Sequence, residues 1–276
     1  MSIITKNTIA KNVLENSVFH SNEVMLDLKD LKKVYPTPMG DYVVLENLNL
    51  QIRKEEFVTI IGHSGCGKTT MLSMIAGLNP ISGGNISVPG KHIKGPGPDR
   101  GVIFQSPSLM PWMTSLQNVL LGVNQVFPQA TKAQRNDIAK YYLQKVGLED
   151  AFYKKASELS QGMQQRVGIA RAFAIKPKVL LLDEPFGMLD SLTRGELQDI
   201  LIEIWNKEKI TAVMITHDVD EAIFLADRVV MMTSGPKAKI GDILDINFQR
   251  PRTRKSVLEH DDYYKYRRHL IDFLEH

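Results

Sequence analysis

The sequence predicts an α/β fold that combines a mainly parallel sheet core with an antiparallel β subdomain and a helical subdomain. After residue 57, apolar segments of strand length alternate with helical segments, an order typical of a parallel sheet. Before residue 54, short segments with alternating apolar residues predict antiparallel strands. From about residue 106 to 175, apolar residues at helical spacing predict the helical subdomain.

Length and composition favour a folded globular protein and exclude several classes. The chain has 276 residues, of which 43% are hydrophobic, enough for a sizeable core. A net charge of +3 is too small to predict nucleic-acid binding, and the single cysteine, Cys66, cannot form an internal disulfide. No apolar run reaches the ~20 residues of a membrane-spanning helix, and the N-terminus does not resemble a secretory signal. We therefore expect any membrane role to depend on a partner protein.

The first part of the chain is expected to supply an extension, the antiparallel strands and the first buried strand. Residues 1–22 show little periodicity and are expected to form a flexible N-terminal extension. Antiparallel strands are predicted at Val24–Leu28, Val43–Leu45 and Leu48–Leu50. The continuous apolar run Phe57–Ile61 fits a strand buried on both faces, and a helix is predicted at about Lys68–Gly77.

The rest of the chain is expected to complete the sheet and end in a short tail. A helical insert is predicted from about Leu116 to Lys155, and another helix follows Ser160 to about Ile175. Further elements are predicted as buried strands at Val179–Leu182 and Ala212–Ile215, with a helix at Arg194–Lys207 between them. Residues 23–246 would then form one large domain and residues 247–276 a C-terminal tail.

A glycine-rich segment after the first buried strand matches the phosphate-binding pattern G-x-x-x-x-G-K-[ST]. Its residues are Gly62, His63, Ser64, Gly65, Cys66, Gly67, Lys68 and Thr69, with Thr70 following. Glycines allow several backbone N–H groups to point at one anion, and the following helix adds its N-terminal dipole. Lys68 is expected to reach the β- and γ-phosphates of ATP, and the Thr69 hydroxyl is expected to bind Mg²⁺.

Weaker interpretations of this segment stay open. The pattern arises by accident in roughly one chain in a hundred of this size at average residue usage, although a strand before it and a helix after it reduce that frequency. Cys66 could be a redox switch, but no second cysteine is present to resolve it. A small filler residue is therefore the favoured interpretation of Cys66.

An acidic pair ends the predicted strand at Val179–Leu182. Because the chain turns at Pro185, the two carboxylates can serve different roles. Asp183 is expected to hold Mg²⁺, and Glu184 to polarise a water molecule as general base. An isolated pair at a strand end is often simply solvated, but the phosphate-binding loop nearby favours the catalytic interpretation.

A further motif narrows the family. The segment Leu159-Ser160-Gln161-Gly162-Met163 resembles the L-S-G-G-Q signature of ABC transporter ATPases, with Gln161 and Met163 as departures. Other positions resemble family motifs in the usual order: Tyr35 the aromatic residue that stacks on adenine, Gln105 the Q-loop glutamine, Asp190 the end of the D-loop and His217 the switch histidine. The resemblance covers residues from about 23 to 246, which are identified as an ABC ATPase domain.

The resemblance implies an ATP-hydrolysing enzyme that is complete only as a dimer. Lys68, Glu184 and His217 would be catalytic, with His217 sensing the γ-phosphate. Gln105 would join Thr69 and Asp183 around Mg²⁺. Ser160, a good helix N-cap, and the Gly162 amide would contact the γ-phosphate held by the opposite protomer. The nucleotide-binding set implied beyond the phosphate-binding loop is Tyr35, Gln105, Ser160, Gly162 and Asp190.

Longer segments resemble one group of importers. Residues 183–194 and 229–236 resemble the ATPases of importers for nitrate, sulfonates and taurine, while residues 101–113 and 118–128 resemble those of the cyanobacterial nitrate/nitrite and bicarbonate transporters. Nitrate is the first candidate substrate of the transporter, and bicarbonate the second, ahead of sulfonate or taurine. This choice rests on similarity alone, because no residue of such a subunit is expected to touch the transported anion.

The same resemblance implies partners and a location. We expect transmembrane permease subunits, an external solute-binding protein that acts through the permease, and a second ABC ATPase subunit, either a longer homologue or a second copy of this chain. The chain is expected to be the short ATPase subunit, peripheral on the cytoplasmic side of the bacterial inner membrane. Gln105 would link the site to the permease through the apolar loop Ser106–Met113, unless that loop is buried against the helical insert.

Other classes of function stay open. A soluble ABC ATPase that acts on ribosomes or DNA usually carries two cassettes or a long coiled-coil insert, and neither is present in this sequence. A non-hydrolysing partner in a heterodimer is disfavoured because Lys68, Glu184 and His217 are all in place.

Overall fold

The computed structural model describes residues 22–275, so most of the predicted extension 1–22 lies outside the described residues. The described chain folds around two sheets. The smaller is antiparallel and has the spatial order β2 (Gly40–Arg53), β1 (Val24–Thr37), β4 (Gly83–Val88), β5 (Lys91–His92). Antiparallel pairing in this region is confirmed, but the segments predicted as separate strands at 43–45 and 48–50 belong to the single strand β2. Strands β1 and β2 are longer than predicted and form one hairpin, with Thr37 opposite Gly40.

The larger sheet has the spatial order β10 (Ile240–Asp245), β9 (Arg228–Met232), β3 (Phe57–Gly62), β8 (Thr211–Ile215), β7 (Val179–Asp183), β6 (Arg100–Ile103). Strands β9, β3, β8, β7 and β6 pair in parallel, and only β10 runs antiparallel to its neighbour. All side chains of β3 are buried, as its continuous apolar run predicted. The mainly parallel core is therefore confirmed.

Eight helices are described: α1 (Lys68–Ile75), α2 (Ser115–Val126), α3 (Lys132–Lys145), α4 (Gln161–Ala174), α5 (Ser191–Glu208), α6 (Val219–Leu225), α7 (Arg254–Leu258) and α8 (Tyr263–Glu275). The predicted helical insert is thus two helices, and short 3₁₀ turns at residues 149–151 and 156–158 follow them. Capping boxes at Thr114 and Thr131, each with a glutamine three residues on, fix where α2 and α3 begin.

Side chains alternate along the buried strands, so the central sheet is covered on both faces. Phe57 and Ile61 pack into one hydrophobic cluster with α2 to α6, whereas Val58 and Ile60 pack into a second cluster with α1 and the antiparallel sheet. This arrangement leaves the carboxyl ends of β3, β6, β7 and β8 at one edge, where the predicted site residues follow.

The C-terminal helices pack back against α6. Arg252 is 5% exposed and donates to the backbone oxygen of Ala226 and to Asp227, while the Tyr263 hydroxyl donates to Asp220 Oδ1 at 2.8 Å. Within residues 22–275, no helix combines the length and apolar character needed to cross a membrane.

Glu221 on α6 is expected to make stability depend on pH. Burial raises the pKa of its carboxyl to about 7, and Gln198 Nε2 donates to its Oε1 at 2.6 Å. Since the folded state holds this proton more tightly than the unfolded state, stability should fall by about 3 kcal/mol as the pH rises from the ordinary glutamate pKa to about 7, and stay constant above it.

A Glu221→Gln variant removes this titration, so its melting temperature relative to the wild type should be higher at pH 8 than at pH 5. Thermal unfolding at both pH values measures the difference, with the exposed Glu149→Gln as control. An equal shift in melting temperature at both pH values would contradict the prediction.

Candidate functional site

The phosphate-binding loop joins β3 to α1 and needs its glycines. Gly65 and Gly67 have φ of +80° and +99°, in the left-handed region that side chains rarely adopt. A Cβ on Gly67 would also lie 2.8 Å from Val44 Cγ1, so the β1–β2 hairpin packs directly against the loop. This backbone can present several N–H groups to one anion at the start of α1.

Lys68 is held across this loop. Its Nζ donates to the backbone oxygens of Gly62 at 2.7 Å and His63 at 2.9 Å, and the residue is only 8% exposed. Because these contacts fix the ammonium beside the loop amides, the first turn of α1 offers a positioned positive charge to a phosphate group.

Thr69 and Asp183 come together from α1 and the end of β7. The Thr69 hydroxyl donates to Asp183 Oδ1 at 3.0 Å, and burial raises the pKa of the Asp183 carboxyl above its ordinary value. A hydroxyl and a carboxylate oxygen are ligands that suit Mg²⁺, a hard cation that takes its remaining ligands from phosphate and water. Thr69 and Asp183 supply two such ligands, so the arrangement fits a cation that the phosphates of a nucleotide help to hold. Among residues 22–275, no cluster of three or more acidic, histidine or cysteine side chains could hold a metal ion.

The side chains of Gln105 and His217 meet the Glu184 carboxylate. Gln105 Nε2 donates to Glu184 Oε2 at 3.3 Å, and His217 Nδ1 lies 3.4 Å from the same oxygen. Glu184 has φ of +44°, unusual for a residue with a side chain, and its backbone N–H donates to Ile215 at the end of β8. Strand ends β6, β7 and β8 thus bring together a carboxylate, an amide and an imidazole that lie far apart in sequence.

A separate group of predicted residues lies at the N-termini of α4 and α5. Ser160 caps α4, since its Oγ accepts from the Met163 N–H at 3.3 Å. A Cβ on Gly162 would lie 2.7 Å from Thr193 Cγ2, so close packing of α4 on α5 already requires glycine there. Among the described residues, no hydrogen bond of Ser160 joins this group to the phosphate-binding loop.

Asp190 belongs to the same group and has a clear structural role. Its Oδ1 accepts from the N–H groups of Leu192 and Thr193, both at 3.1 Å, which caps α5. The hydrogen bond from Thr193 lowers the pKa of the Asp190 carboxyl. A contact between Asp190 and nucleotide stays a prediction.

Tyr35 lies on the β1–β2 hairpin, opposite Tyr42. Its hydroxyl accepts from Asn79 Nδ2 at 2.7 Å, and the Lys33 ammonium lies 4.6 Å from its ring centroid. Tyr35 is 38% exposed, and its stacking on an adenine base stays a prediction.

The remaining loop residues differ in accessibility. Cys66 is 1% exposed, which disfavours the redox interpretation because redox-sensing thiols are accessible. His63 and Ser64 are exposed and Thr70 is partly buried. His63 Nδ1 lies 3.3 Å from Ser234 Oγ. Their contacts with phosphate stay predictions.

Sequence reasoning missed Arg171. This α4 side chain donates to the backbone oxygens of Pro107 at 2.8 Å and Ser108 at 3.0 Å, so it holds the loop after Gln105. Burial lowers the pKa of the Arg171 guanidinium. A cationic residue within a largely buried helix was the available signal.

Comparison with known proteins agrees with this geometry. The family model described as ABC transporter matches residues 45–187, which contain the phosphate-binding loop, the signature segment and the acidic pair. The chain belongs to the ABC transporter family. ABC transporter ATP-binding subunits are ATPases, so this chain is an ATPase of that family.

Several curated relatives cover most of this ABC cassette. The bicarbonate transport ATP-binding protein CmpD of Synechocystis sp. is 53% identical over 249 residues, covering 90% of this chain and 88% of the relative. The nitrate import ATP-binding protein NrtD of Synechococcus elongatus is 45% identical over 262 residues, covering 95% and 96%. The longer CmpC of Synechocystis sp. is 53% identical over 246 residues, which cover 89% of this chain but 37% of CmpC.

A solved structure gives the same fold. The dimeric structure of MJ0796, a bacterial ABC transporter cassette, superposes with a TM-score of 0.73 at 32% identity and covers 80% of this chain and 99% of that one. The α/β cassette fold predicted from the sequence is therefore confirmed.

Changes in the signature segment of this ABC cassette should separate essential from tolerated positions. Gln161 is exposed, so Gln161→Gly should alter ATP turnover by less than about tenfold, or ~1.4 kcal/mol. The family resemblance implies that Ser160 contacts the γ-phosphate of nucleotide held by a second cassette. Ser160→Arg should then be severe, because a large cation would occupy that space. ATP turnover is measured in the assembled transporter, with Gln161→Gly as the matched control. Normal turnover with Ser160→Arg would show that this signature segment is not used.

Proposed function

We propose that this chain is the ATP-binding and hydrolysing subunit that energises import of a small inorganic anion through an ABC transporter. The observation that carries the proposal is the convergence on one sheet edge of Lys68, the Thr69–Asp183 pair and the Glu184 cluster. An isolated motif could arise by chance. Here the phosphate-binding loop ends at Thr69, which contacts Asp183, and Asp183 precedes the candidate general base Glu184 in the chain. Together these groups form one hydrolytic site.

Each group in this site has a separate role. Lys68 and the loop amides bind the phosphates, and Thr69 and Asp183 hold Mg²⁺, with Gln105 as a further ligand. Mg²⁺ supplies charge neutralisation on the phosphate oxygens when bound. Glu184 orients and polarises the attacking water, while Gln105 and His217, at 3.3 and 3.4 Å, hold its carboxylate in place.

The site is completed by a second cassette. Ser160 and Gly162 lie at the α4 N-terminus, in a group of residues apart from the phosphate-binding loop of the same chain, which suits contact with nucleotide bound by an opposite protomer. A longer homologue is the first candidate for that protomer, since relatives such as CmpC carry a matching cassette within a longer chain. A second copy of this chain is the alternative.

The surface loop after Gln105 supports docking to a permease. Trp112 is 67% exposed and Met110 37% exposed, whereas Leu109 is partly buried against the core. Arg171 holds the loop in place from α4. A fixed loop with exposed large apolar side chains suits a partner protein better than water. We place the subunit on the cytoplasmic side of the bacterial inner membrane, attached through this loop to the permease, with which an external solute-binding protein cooperates.

Polar substitutions in this loop should detach the subunit from its permease. Met110→Asp and Trp112→Ser should reduce co-purification of the permease by at least about tenfold, because they remove apolar contact area at the interface. Nucleotide binding should be unchanged, since neither residue belongs to the phosphate-binding loop. Tyr153→Ser, at a side chain 71% exposed on a neighbouring surface, is the control. Unimpaired complex assembly in both loop variants would count against the docking assignment.

We propose that the transported anion is either nitrate, together with nitrite, or bicarbonate. The sequence resemblance placed nitrate first, but relatives named for bicarbonate reach 53% identity, against 48% and 45% for two relatives named for nitrate, so identity does not favour nitrate. Uptake of labelled nitrate and labelled bicarbonate into cells with and without this chain tests the choice. Loss of either uptake supports the proposal, and unchanged uptake of both anions would overturn it.

A further inference from the structure

Two functional segments leave the central sheet where its backbone pairing stops. The parallel ladder between β6 and β7 ends at the pair Ile103 and Leu182. Beyond it, Phe104 precedes Gln105 and Pro185 follows Glu184, and the carbonyl groups of Phe104 and Pro185 no longer have a partner strand. Buried carbonyl groups at such positions need another donor.

Gln165 on α4 supplies that donor to both segments. Its Nε2 donates to the Pro185 oxygen at 2.7 Å and to the Phe104 oxygen at 3.2 Å, and the residue is 2% exposed. Since both partners are acceptors, only the NH₂ end of the amide can face them, which fixes the orientation of the side chain.

Packing alone does not account for a glutamine at this position. Val167 and Ile169, its neighbours on α4, are fully buried. Gln165 Oε1 is buried without a hydrogen-bond partner among the described residues, a cost that an apolar side chain would avoid. The bridge between the two carbonyl groups is what the amide contributes.

We propose that Gln165 is a positioning residue that holds Gln105 against Glu184 and links the signature helix α4 to the hydrolytic carboxylate. The proposal rests on the function proposed above. Gln105 and Glu184 each lie one residue from a carbonyl that Gln165 binds, and Gln105 Nε2 donates to Glu184 Oε2 at 3.3 Å. Other contacts hold one segment each, such as the Glu184 N–H to Ile215 and Arg171 to Pro107, whereas Gln165 binds both segments with one amide.

The position of Gln165 also joins the two groups of site residues. Ser160 caps the helix that carries Gln165 little more than one turn further on. A shift of α4 when Ser160 meets the partner's nucleotide therefore moves the amide that spaces Gln105 and Glu184. Binding of nucleotide at Ser160 in one site would then change the positions of Gln105 and Glu184 in the other site.

ATP hydrolysis by the purified native complex tests this role. Gln165→Leu removes both donors at similar volume, and Gln165→Glu removes them at nearly constant shape. Each should lower kcat about 10- to 100-fold, as expected when reacting groups are misplaced by about 1 Å, while KM for ATP changes less than about threefold. Gln164→Leu is the matched control, because the neighbouring amide donates only to the Leu159 oxygen, within α4's own N-terminal turn, and should leave kcat nearly unchanged.

A double-mutant cycle separates positioning from a loss of folding. If Gln165 acts through Gln105, then Gln105→Ala should lower kcat strongly in the wild type but by less than about twofold in the Gln165→Leu background. Three results would overturn the inference: kcat losses that multiply in the double variant, equal falls in ATP affinity and kcat, or the same fall in kcat from Gln164→Leu. The proposed function is tested separately. Absence of ATP hydrolysis by the wild-type complex would refute the proposed function, whereas normal hydrolysis by both Gln165 variants would refute only the positioning role of Gln165.

Discussion

Replacing Lys68 with alanine is expected to abolish ATP hydrolysis and to weaken nucleotide binding strongly. The Lys68 ammonium is fixed by the Gly62 and His63 carbonyl oxygens at 2.7 and 2.9 Å, so it is already in place for the β- and γ-phosphates. Loss of a preorganised charge of this kind costs at least about 100-fold in turnover. Steady-state ATP hydrolysis and binding of a fluorescent ATP analogue measure the two effects.

Lys91→Ala, at an exposed position on β5, is the matched control for the loss of a lysine charge and should behave as the wild type. Because Lys68 also hydrogen-bonds the loop backbone, thermal unfolding without nucleotide should be compared. Near-normal turnover in a folded Lys68→Ala complex would remove Lys68 from its assigned role.

Glu184→Gln should bind ATP normally but hydrolyse it at least about 100-fold more slowly. The substitution keeps the shape of the side chain and an oxygen to accept from Gln105, yet it removes the carboxylate that acts as general base. The Thr69–Asp183 pair is untouched, so Mg²⁺ and ATP binding should persist. ATP should then trap two cassettes together.

Size-exclusion chromatography with ATP and Mg²⁺ should show this trapped dimer or a stabilised complex for Glu184→Gln, but not for the exposed control Glu149→Gln. Hydrolysis at the wild-type rate would mean that another group acts as the base. His217, which lies 3.4 Å from Glu184, would be the next group to test.

Local patterns in the sequence were sufficient for much of the fold. Continuous apolar runs predicted β3, β7 and β8, because strands buried on both faces need no polar alternation. The strands β4, β5, β9 and β10 were missed. Of these, β4 contains few apolar residues and β5 has only two residues. Their strand conformation depends on pairing with the distant β1 and with each other, which local periodicity does not reveal.

The candidate site divides in the same way. Residues in contiguous motifs, such as Lys68, Asp183 and Glu184, could be predicted because neighbouring residues in the chain form the feature. The contacts of Gln165 and Arg171 could not be predicted, since their partners are backbone carbonyl groups 20 and 64 residues away in the chain. A carbonyl group carries no residue identity, so such contacts appear only in the folded structure.

Affinity purification of this chain from detergent-solubilised native membranes, with mass spectrometric identification of its partners, tests the central claim most directly. The account predicts membrane-spanning permease subunits in stoichiometric amounts, together with a second ABC ATPase subunit or a second copy of this chain. Recovery of the chain without any membrane-spanning partner, or with ribosomal or DNA-bound proteins in their place, would contradict it.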